Sequence, residues 1–356
     1  MKSYQVAVYP GDGIGIDVIR EGVKVLKAVG SVFASFRFEF TEFDWGSAYW
    51  KKTGKVAPDD YIERLKDYDV IYLGALGDPQ NIPDHITLLP LIQMRQRFDQ
   101  YVCLRPARLL PGIVSPLANK KAGEIDMIVV RENSEGEYVS MGGNFKIDQP
   151  DEVSVQTAIH TRKGVDRILR YSFRLAQGRK KYLTLATKSN AQRYSMVMWD
   201  KIFAEVSREF PDVKTDKYHI DALCMNFVRC PERYDVVVGS NLFGDILTDL
   251  GGAITGSLGL APSANINPER RYPSLFEPVH GSAPDIAGLG IANPLGAIRS
   301  AAMMVDFLGH AEAANLMEQA IIENLVAGQV RTPDIGGKAT TVQVGDDIAQ
   351  RILRSR

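Results

Sequence analysis

Two carboxylates four residues apart are the clearest sign of chemistry in this sequence. Asp245 and Asp249 follow residues 234–239, a short apolar run whose β-branched side chains predict a buried strand. The next segment has helical spacing, with capping oxygens offered by Ser240 and Asn241, so both carboxylates project from one helix face. Such a pair suits a hard divalent cation, Mg2+ or Mn2+. Acids early in a helix can instead only complement its dipole, and the spacing leaves both interpretations open.

Three arginines lie at the ends of predicted elements. Arg95 ends a predicted helix, and Arg105 ends the next predicted strand, which Pro106 closes. Arg131 lies near the C-terminal end of a further strand, residues 126–132, and ligands of open α/β sheets bind beyond such ends. Guanidinium groups bind carboxylates in a bidentate manner, so the three arginines predict a di-acid substrate. For any single arginine, a surface ion pair is the alternative.

Two more groups follow predicted strands, and one loop resembles a nucleotide site. Lys188 follows an apolar strand, where a lysine either extends towards solvent or is functional. Asp221 is a third acid beside a strand end. Residues 277–290 place His280 among glycine, serine and proline before Asp285, an arrangement that offers backbone N–H groups beside an acid. This loop is the predicted nucleotide cradle.

The glycine-rich turn near the N-terminus does not meet the requirement for a dinucleotide fingerprint. Gly11, Gly13 and Gly15 follow a predicted strand and precede a predicted helix, but their spacing is GxGxG. The fingerprint is GxGxxG with an acid about 20 residues later. We therefore assign these glycines to a tight turn and place no pyrophosphate there.

Composition excludes several classes of protein. The chain has 356 residues, of which 45% are hydrophobic and 24% charged, with a net charge of -1. These values predict a globular protein of two domains or of one large α/β unit, with no overall attraction to nucleic acid or membranes. Three cysteines without a CxxC pair predict a reducing compartment. With no signal peptide and no apolar stretch of about 18 residues, we expect a cytoplasmic location.

The order of elements predicts the fold class. Strands and helices alternate along most of the chain, which is typical of an α/β fold with mainly parallel pairing. Residues 137–161 differ, because short alternating strands around Gly142 and Gly143 predict an antiparallel arm. Such arms often pair between subunits.

Seven motifs together resemble the metal-dependent decarboxylating dehydrogenases that include isocitrate and 3-isopropylmalate dehydrogenase. They occur in order along nearly the whole chain: PGDGIG (10–15), FDQYVCLRP (98–106), VVRENSEGEY (129–138), ATKSN (186–190), SNLFGDILTDLG (240–251), APSANI (261–266) and EPVHGSAPDIAG (277–288). Within that family, PDHITL, VDRILRY and NPERRYPSLFEPVHGSAPDIAG are most similar to the branch that acts on tartrate and D-malate.

The resemblance implies the architecture of the isopropylmalate dehydrogenase fold. It has two domains, a mainly parallel sheet and an antiparallel dimerisation arm. The large NAD-binding domain would comprise residues 1–103 and 257–356. The small domain would comprise residues 104–256 and carry the dimer interface and the arm. The family forms homodimers whose active site lies in the cleft between domains.

The resemblance also implies roles for the candidate residues. Arg95, Arg105 and Arg131 would bind the substrate carboxylates. Asp245 and Asp249, with Asp221 of the partner subunit, would bind Mg2+ or Mn2+.

Tyr138 and Lys188 of the partner subunit would form the acid/base pair. Neutral Lys188 of the partner subunit would take the proton of the C2 hydroxyl while hydride leaves C2 for the nicotinamide. Tyr138 would protonate C3 after CO2 has left.

A third set of residues would bind the cofactor. Asp285 would accept hydrogen bonds from the ribose hydroxyls and would repel a 2'-phosphate, which favours NAD over NADP. The resemblance also implies a monovalent cation, K+. The predicted cofactor residues are Glu277, His280, Gly281, Ser282, Ala283, Asp285 and Asn293.

The substrate is predicted to be tartrate or D-malate, and three alternatives remain. Isocitrate enzymes carry serine and asparagine where this chain has Leu89 and Leu91, which counts against isocitrate. Isopropylmalate enzymes carry glutamate where this chain has Leu88, although the apolar row could accept an isopropyl group. A regulatory, non-catalytic subunit is disfavoured because the metal and acid/base residues are all present.

Overall fold

The computed structural model describes residues 1–355; Arg356, the last residue of the predicted segment 257–356, lies outside the described residues. Within this range the chain forms twelve strands and twelve α-helices. The strands, β1 to β12, are Lys2–Gly11, Phe36–Glu42, Val70–Ala75, Val102–Arg108, Asp126–Glu132, Gly142–Phe145, Val153–Gln156, Tyr182–Thr187, Lys214–His219, Val236–Gly239, Pro262–Ile266 and Ser274–Pro278. The helices, α1 to α12, are Gly15–Val32, Ser47–Thr53, Tyr61–Leu65, Asp84–Thr87, Leu89–Arg97, Arg162–Gln177, Ser195–Ser207, Ile220–Arg229, Asn241–Ile254, Leu295–Phe307, Ala311–Ala327 and Thr341–Arg354.

Ten strands form one sheet in the order β2-β1-β3-β12-β11-β4-β5-β10-β8-β9. Pairing is parallel except around β11 and β4, where β12–β11, β11–β4 and β4–β5 are antiparallel. The central strands are apolar and fully buried, as in β3 (VIYLGA) and β10 (VVVG), because helices cover both faces. The predicted α/β class with a mainly parallel sheet is confirmed.

The helices that pack on the sheet are amphipathic and have defined ends. In α1, Val18, Val25 and Val29 are completely buried; each contributes about 1.5–3 kcal/mol of hydrophobic stabilisation. Helix α12 starts with a capping box, in which the Thr340 side chain and Gln343 satisfy each other's backbone N–H groups. Helix α12 was not predicted from the sequence, although this capping pattern marks its start.

The arm is a separate two-stranded antiparallel sheet formed by β6 and β7, whose residues are all exposed. The prediction of an antiparallel arm is confirmed, but its geometry was wrong. Gly142 and Gly143 lie within β6, opposite Gln156 and Val155, rather than at a turn. The chain reverses between the two strands, where Lys146 and Asp148 adopt left-handed backbone conformations.

Several predicted boundaries were also wrong. Strand β4 does not close at Pro106 but continues to Arg108; it tolerates the proline because its pairing with β11 ends at Leu104, which leaves one edge free. The predicted helix over 83–97 is divided at Leu88 into α4 and α5. Asp221 does lie beside a strand end, as predicted, because β9 ends at His219, and it belongs to the first turn of α8.

Strands β2, β11 and β12 were not predicted. The segment 251–273 is rich in glycine, serine and proline, yet it contains β11, whose residues are all buried. Tertiary pairing with β4 and β12, rather than local pattern, makes PSANI a strand. No helix in residues 1–355 combines the length and apolarity needed to cross a bilayer.

Candidate active site

A pocket of about 190 Å³ lies at the carboxyl ends of β3, β5 and β12. This is the position where open α/β sheets bind ligands. Its volume is below the roughly 300–1,000 Å³ of sites for drug-sized ligands, which suits a compact substrate. Leu91 and Ile92 of α5, with Leu88 just before it, provide one wall, and the loop after β12 provides another with His280 and Gly281.

The three predicted arginines converge in this pocket, and all three are buried. Arg95, in α5, forms an ion pair of 3.1 Å with Glu277 of β12. Arg105, in β4, bonds through Nη1 to Asp245 at 3.2 Å and to Thr248 Oγ1 at 2.8 Å. Burial without these partners would leave three unsatisfied charges, so each acceptor stabilises its guanidinium group.

Arg131 is the most deeply buried of the three, with 2% of its surface exposed. Its Nη1 donates to Asp245, and Oδ1 of Asn241 accepts from its Nε at 2.9 Å and its Nη2 at 2.6 Å. Burial, together with the nearby charge of Arg95, lowers the pKa of Arg131 to about 10. The group therefore stays cationic at neutral pH.

Asp245 and Asp249 lie one turn apart on α9, as predicted. Burial raises the pKa of Asp245, but the charges of Arg131 and Arg105 outweigh it and hold that pKa below its usual value. Asp249 is more exposed and lies 3.9 Å from Arg105 Nη1. Burial raises the pKa of Asp249 above its usual value, only partly opposed by Arg105.

Tyr138 reaches the same pocket from the segment after β5. Its hydroxyl donates to Oδ2 of Asp245 at 2.8 Å, and its ring lies 5.4 Å from the guanidinium carbon of Arg131. Burial, then the negative charge of Asp245, raises the pKa of Tyr138 to about 12. The phenol is therefore protonated at neutral pH and can donate a proton.

Lys188 and Asp221 lie together but outside this pocket. Lys188 Nζ is 2.8 Å from Asp221 Oδ1, and the side chain of Asp221 is 69% exposed. The backbone around Lys188 is held by Asp200 of α7, which accepts hydrogen bonds from Thr187 and Ser189, one residue on either side. Within one chain, the structure does not bring this pair to Tyr138 and Asp245.

The carboxylates fit part of a divalent-metal site. Asp245 and Asp249 offer oxygen ligands from one helix face, the donor type that Mg2+ and Mn2+ prefer. Within residues 1–355 of a single chain, no group of three or more His, Cys, Asp or Glu side chains is arranged to bind a metal. The third predicted ligand, Asp221, lies apart from the other two, so one chain supplies an incomplete set.

The predicted cofactor residues fall into two groups. Glu277, His280 and Gly281 line the pocket, whereas Ser282, Ala283, Asp285 and Asn293 do not. Glu277 Oε1 accepts from Arg95 and from Asn265 Nδ2 at 2.7 Å. Asn293 bonds to Asp334 at 3.0 Å.

Two buried nitrogens of the pocket fit a ligand. In the described part of the chain, His280 Nε2 and Arg95 Nε have no hydrogen-bond partner. Orphaned groups of this kind are costly unless a bound molecule or water satisfies them. Burial lowers the pKa of His280, so its ring is neutral at neutral pH and one nitrogen can accept.

The PGDGIG turn supports the loop that follows β12. Ile14 N–H donates to the carbonyl oxygen of Ser282 at 2.9 Å. Gly13 has a φ of 54°, and a Cβ there would lie 2.0 Å from that oxygen. The glycine is required because the two backbones touch, which agrees with its assignment to a tight turn.

Sequence reasoning missed the role of Asn241. We predicted that Ser240 and Asn241 offer capping oxygens, but Ser240 makes no side-chain cap bond and Asn241 binds Arg131 instead. Thr248 and Ser263, which both contact Arg105, were also missed. Of these three residues, only Asn241 and Thr248 could have been identified as candidates from the sequence, because both lie in the helix that carries Asp245.

Comparison with known proteins agrees with this geometry. Residues 5–348 match the family model described as isocitrate/isopropylmalate dehydrogenase. The chain is 52% identical to a D-malate dehydrogenase (decarboxylating) of Escherichia coli over 361 residues, covering 99% of this chain and 100% of that protein. It is 50% identical to a tartrate dehydrogenase/decarboxylase of Pseudomonas putida over 365 residues, covering 99% and 98%.

A solved structure has the same fold over the whole chain. The isocitrate dehydrogenase of Methylococcus capsulatus superposes with a TM-score of 0.87 at 33% identity, covering 98% of this chain and 99% of that one. The predicted resemblance to the family, and to its tartrate and D-malate branch, is confirmed. The chain therefore belongs to the isocitrate/isopropylmalate dehydrogenase family, and it is an enzyme.

Proposed function

We propose that this enzyme uses NAD and a divalent metal to oxidise D-malate and tartrate at C2 and to decarboxylate the resulting β-keto acid. The observation that carries the proposal is the convergence of Arg95, Arg105 and Arg131 on one pocket with Tyr138 and Asp245. Three cations opposite a proton donor suit a small di-acid. The names of the full-length relatives, a D-malate dehydrogenase and a tartrate dehydrogenase/decarboxylase, support the same substrate class.

The side chains of the pocket would have separate roles in substrate binding, metal binding and proton transfer. The arginines hold the two substrate carboxylates and orient C2. A divalent cation held by Asp245 and Asp249 would act as a Lewis acid towards the C2 hydroxyl and its carboxylate. Lys188 of the partner subunit would accept the hydroxyl proton, and NAD, when bound, would supply the acceptor for the hydride that leaves C2. After the C3–C4 bond breaks and CO2 leaves, Tyr138 donates its proton to C3.

A homodimer would complete this site. Lys188 and Asp221 form an ion pair away from the pocket, and Asp221 is exposed, so both are free to face another copy. The arm offers further support, because Phe145, Val153 and Val155 are exposed on its two strands. Large apolar side chains on an isolated hairpin suit pairing with a second chain.

The cofactor would lie along the loop after β12. His280 and Gly281 face the pocket, and Asp285, which is exposed, would accept hydrogen bonds from the ribose hydroxyls. A carboxylate there favours NAD over NADP. For the metal, Mn2+ and Mg2+ both suit the carboxylates, and K+ is the proposed monovalent cation.

We also propose the domain division 1–103 with 257–356, and 104–256. The first part supplies Glu277 and His280 to the pocket and the second supplies Arg131 and Asp245, so the pocket would lie between them. The three cysteines are unpaired, which suits a cytoplasmic location.

3-Isopropylmalate is the second candidate substrate because the pocket has an apolar wall. Leu88, Leu91 and Ile92 face it, whereas Leu89 lines a different groove, against Trp50 and Tyr61. An isopropyl group could pack on this wall. D-malate and tartrate lack such a group, so they leave the wall in contact with water or cofactor.

The deciding experiment is NAD reduction by the purified protein with Mn2+ across a substrate panel. The panel comprises D-malate, L-tartrate, meso-tartrate, 3-isopropylmalate and isocitrate, each with and without EDTA. We expect strong, EDTA-sensitive activity on D-malate or tartrate. Activity dominated by 3-isopropylmalate would instead assign substrate choice to the leucine and isoleucine wall, and activity that survives EDTA would contradict metal dependence.

A further inference from the structure

We propose that Asn241 is a positioning residue that selects substrate charge: its neutral amide orients Arg131 towards a dianionic substrate without neutralising it. The inference rests on the proposed function, because the dianion is the hydroxy di-acid assigned there. Asn241 is 2% exposed and begins α9, the helix that also carries Asp245. Asn241 itself has no proposed contact with substrate, cofactor or metal.

The contacts of Asn241 determine how its amide points. Oδ1 accepts from both Nε and Nη2 of Arg131, at 2.9 and 2.6 Å, and Nδ2 donates to the carbonyl oxygen of Glu135 at 2.8 Å. A reversed amide would place NH2 against the guanidinium and oxygen against a carbonyl, so only one orientation satisfies every group. Asn241 therefore holds one edge of Arg131 and leaves Nη1 for Asp245 and the pocket.

The packing around Asn241 prevents other arrangements. A Cβ on Gly136 would lie 2.9 Å from the Cβ of Asn241, and a Cβ on Gly244 would lie 2.5 Å from the Cβ of Arg131. Both glycines allow the helix start, the loop and the arginine to touch. This packing fixes Cβ and Cγ of Arg131 and Cβ of Asn241, so the side chain at position 241 sets the angle of the guanidinium through its hydrogen bonds and adds or withholds a charge beside it.

The charges of the site explain why a neutral acceptor is needed. Asp245, Asp249 and Glu277 balance the three arginines that they contact. In the proposed dimer, Asp221 of the partner subunit would add one negative charge, which the cationic nicotinamide ring of NAD would offset, so the two positive charges of a divalent cation would match the two carboxylates of the substrate. A carboxylate at position 241 would bind Arg131 with the same fork geometry but would leave the site one charge too negative for a dianion.

The test compares Asn241→Asp with Asn241→Ala. Asp keeps the acceptor and adds a charge, whereas Ala removes the acceptor and adds none. We expect N241D to raise the KM for D-malate about a hundredfold and N241A by at most about tenfold, with the KM for NAD changed by less than about twofold. Both variants lose the bond from Nδ2 to the carbonyl oxygen of Glu135, and Asp also places an oxygen against that carbonyl. A merely structural role of Asn241 would therefore weaken inhibition by a monocarboxylate such as propionate by the same factor as binding of D-malate, whereas selection by charge weakens D-malate more. N241A equal to or worse than N241D would overturn the proposal.

Binding of succinate provides a readout that does not depend on turnover. This dianion lacks the hydroxyl and cannot be oxidised, and its dissociation constant is measured by calorimetry with Mn2+ present. The same order, N241D weaker than N241A, is expected; equal affinities contradict the proposal even if no hydroxy acid in the panel is oxidised. Should circular dichroism show N241D unfolded, Asn241→Ser restores a neutral acceptor and should recover affinity relative to N241A, and failure to recover counts against the proposal.

Discussion

The hydroxyl of Tyr138 donates to Oδ2 of Asp245 at 2.8 Å, so the proposed proton donor shares a contact with a proposed metal ligand. The same carboxylate accepts from Arg131 through its other oxygen. Asp245 thus links the group that would protonate C3 to the group that would hold a substrate carboxylate. Burial, reinforced by this contact, raises the pKa of Tyr138 and keeps the phenol protonated in the pocket.

Replacement of Tyr138 by phenylalanine should separate the two chemical steps. The phenol is needed only after CO2 has left, so Y138F should slow release of the decarboxylated product by about a hundredfold or more and spare hydride transfer. Lys188→Met is the matched variant and should abolish hydride transfer. Single-turnover NADH formation and CO2 release, measured side by side, check both effects. Equal losses of the two steps in Y138F would contradict the separate roles.

The two aspartates of α9 should respond differently to conversion into asparagine. Asp249→Asn changes an exposed carboxylate with one distant partner, at 3.9 Å, so it should weaken Mn2+ binding and leave the unfolding free energy almost unchanged. Asp245→Asn should also destabilise the fold by about 1–3 kcal/mol, since Arg105 and Arg131 lose their ionised acceptor.

Metal titration of NAD reduction measures the strength of Mn2+ binding, and urea unfolding measures the free energy of unfolding. Urea unfolding should be recorded without metal, so that loss of binding is not read as loss of stability. Equal urea midpoints for the two variants would contradict the structural part assigned to Asp245.

The sequence predicted which residues of the candidate site share an element or lie close together, for a physical reason. Asp245 and Asp249 are four apart on one helix, so local periodicity alone put them on one face. The convergence of Arg95, Arg105 and Arg131 was also predicted, although only Arg95 and Arg131 lie near the end of an element, whereas Arg105 lies in the middle of β4, which runs antiparallel to β5. These relations need only short-range rules and the direction of strands.

What the sequence could not give depends on contacts between distant segments. Strand β11 has no strand pattern of its own and forms because β4 and β12 flank it. The paired hydrogen bonds between Asn241 and Arg131 join residues 110 positions apart, and no local sequence pattern predicts them. The separation of Lys188 and Asp221 from the pocket likewise depends on the tertiary fold; only the family resemblance suggested that a second chain supplies them.

Gly244 should not tolerate a side chain, because Arg131 lies against it. A Cβ at this position would be 2.5 Å from Cβ and 2.6 Å from Cγ of Arg131. Gly244→Ala should therefore displace the arginine, lower stability by about 1–3 kcal/mol and raise the KM for D-malate. Gly30→Ala is the control: it lies in α1 with only Phe38 within 4.0 Å, and it should raise stability by up to about 1 kcal/mol. Urea unfolding midpoints and KM values for D-malate, measured for both variants, test this prediction. Unchanged kinetics in Gly244→Ala would contradict the packing argument.

Asp200 should affect both the position of Lys188 and the loss of folding stability at low pH. Its carboxylate accepts from Thr187 at 2.7 Å and Ser189 at 2.8 Å, so Asp200→Ala should loosen the backbone on both sides of Lys188 and lower kcat more than it raises the KM for NAD. Burial raises the pKa of Asp200, but bonds from Lys217, Thr187 and Ser189 bring it below the usual value.

A carboxylate with a lowered pKa stabilises the fold above its unfolded value of about 3.9 and loses that effect as pH falls through the folded value. The stability difference between wild type and D200A should therefore be about 1–3 kcal/mol at pH 7 and shrink below pH of about 4. Lys217→Ala, which removes the ion pair but keeps both hydroxyl contacts, should reproduce part of the stability loss and little of the loss in kcat. Urea unfolding from pH 3 to 8, with kcat at pH 7, separates the two effects; if K217A lowers kcat as much as D200A does, Asp200 acts through its charge and not through the hydrogen bonds beside Lys188.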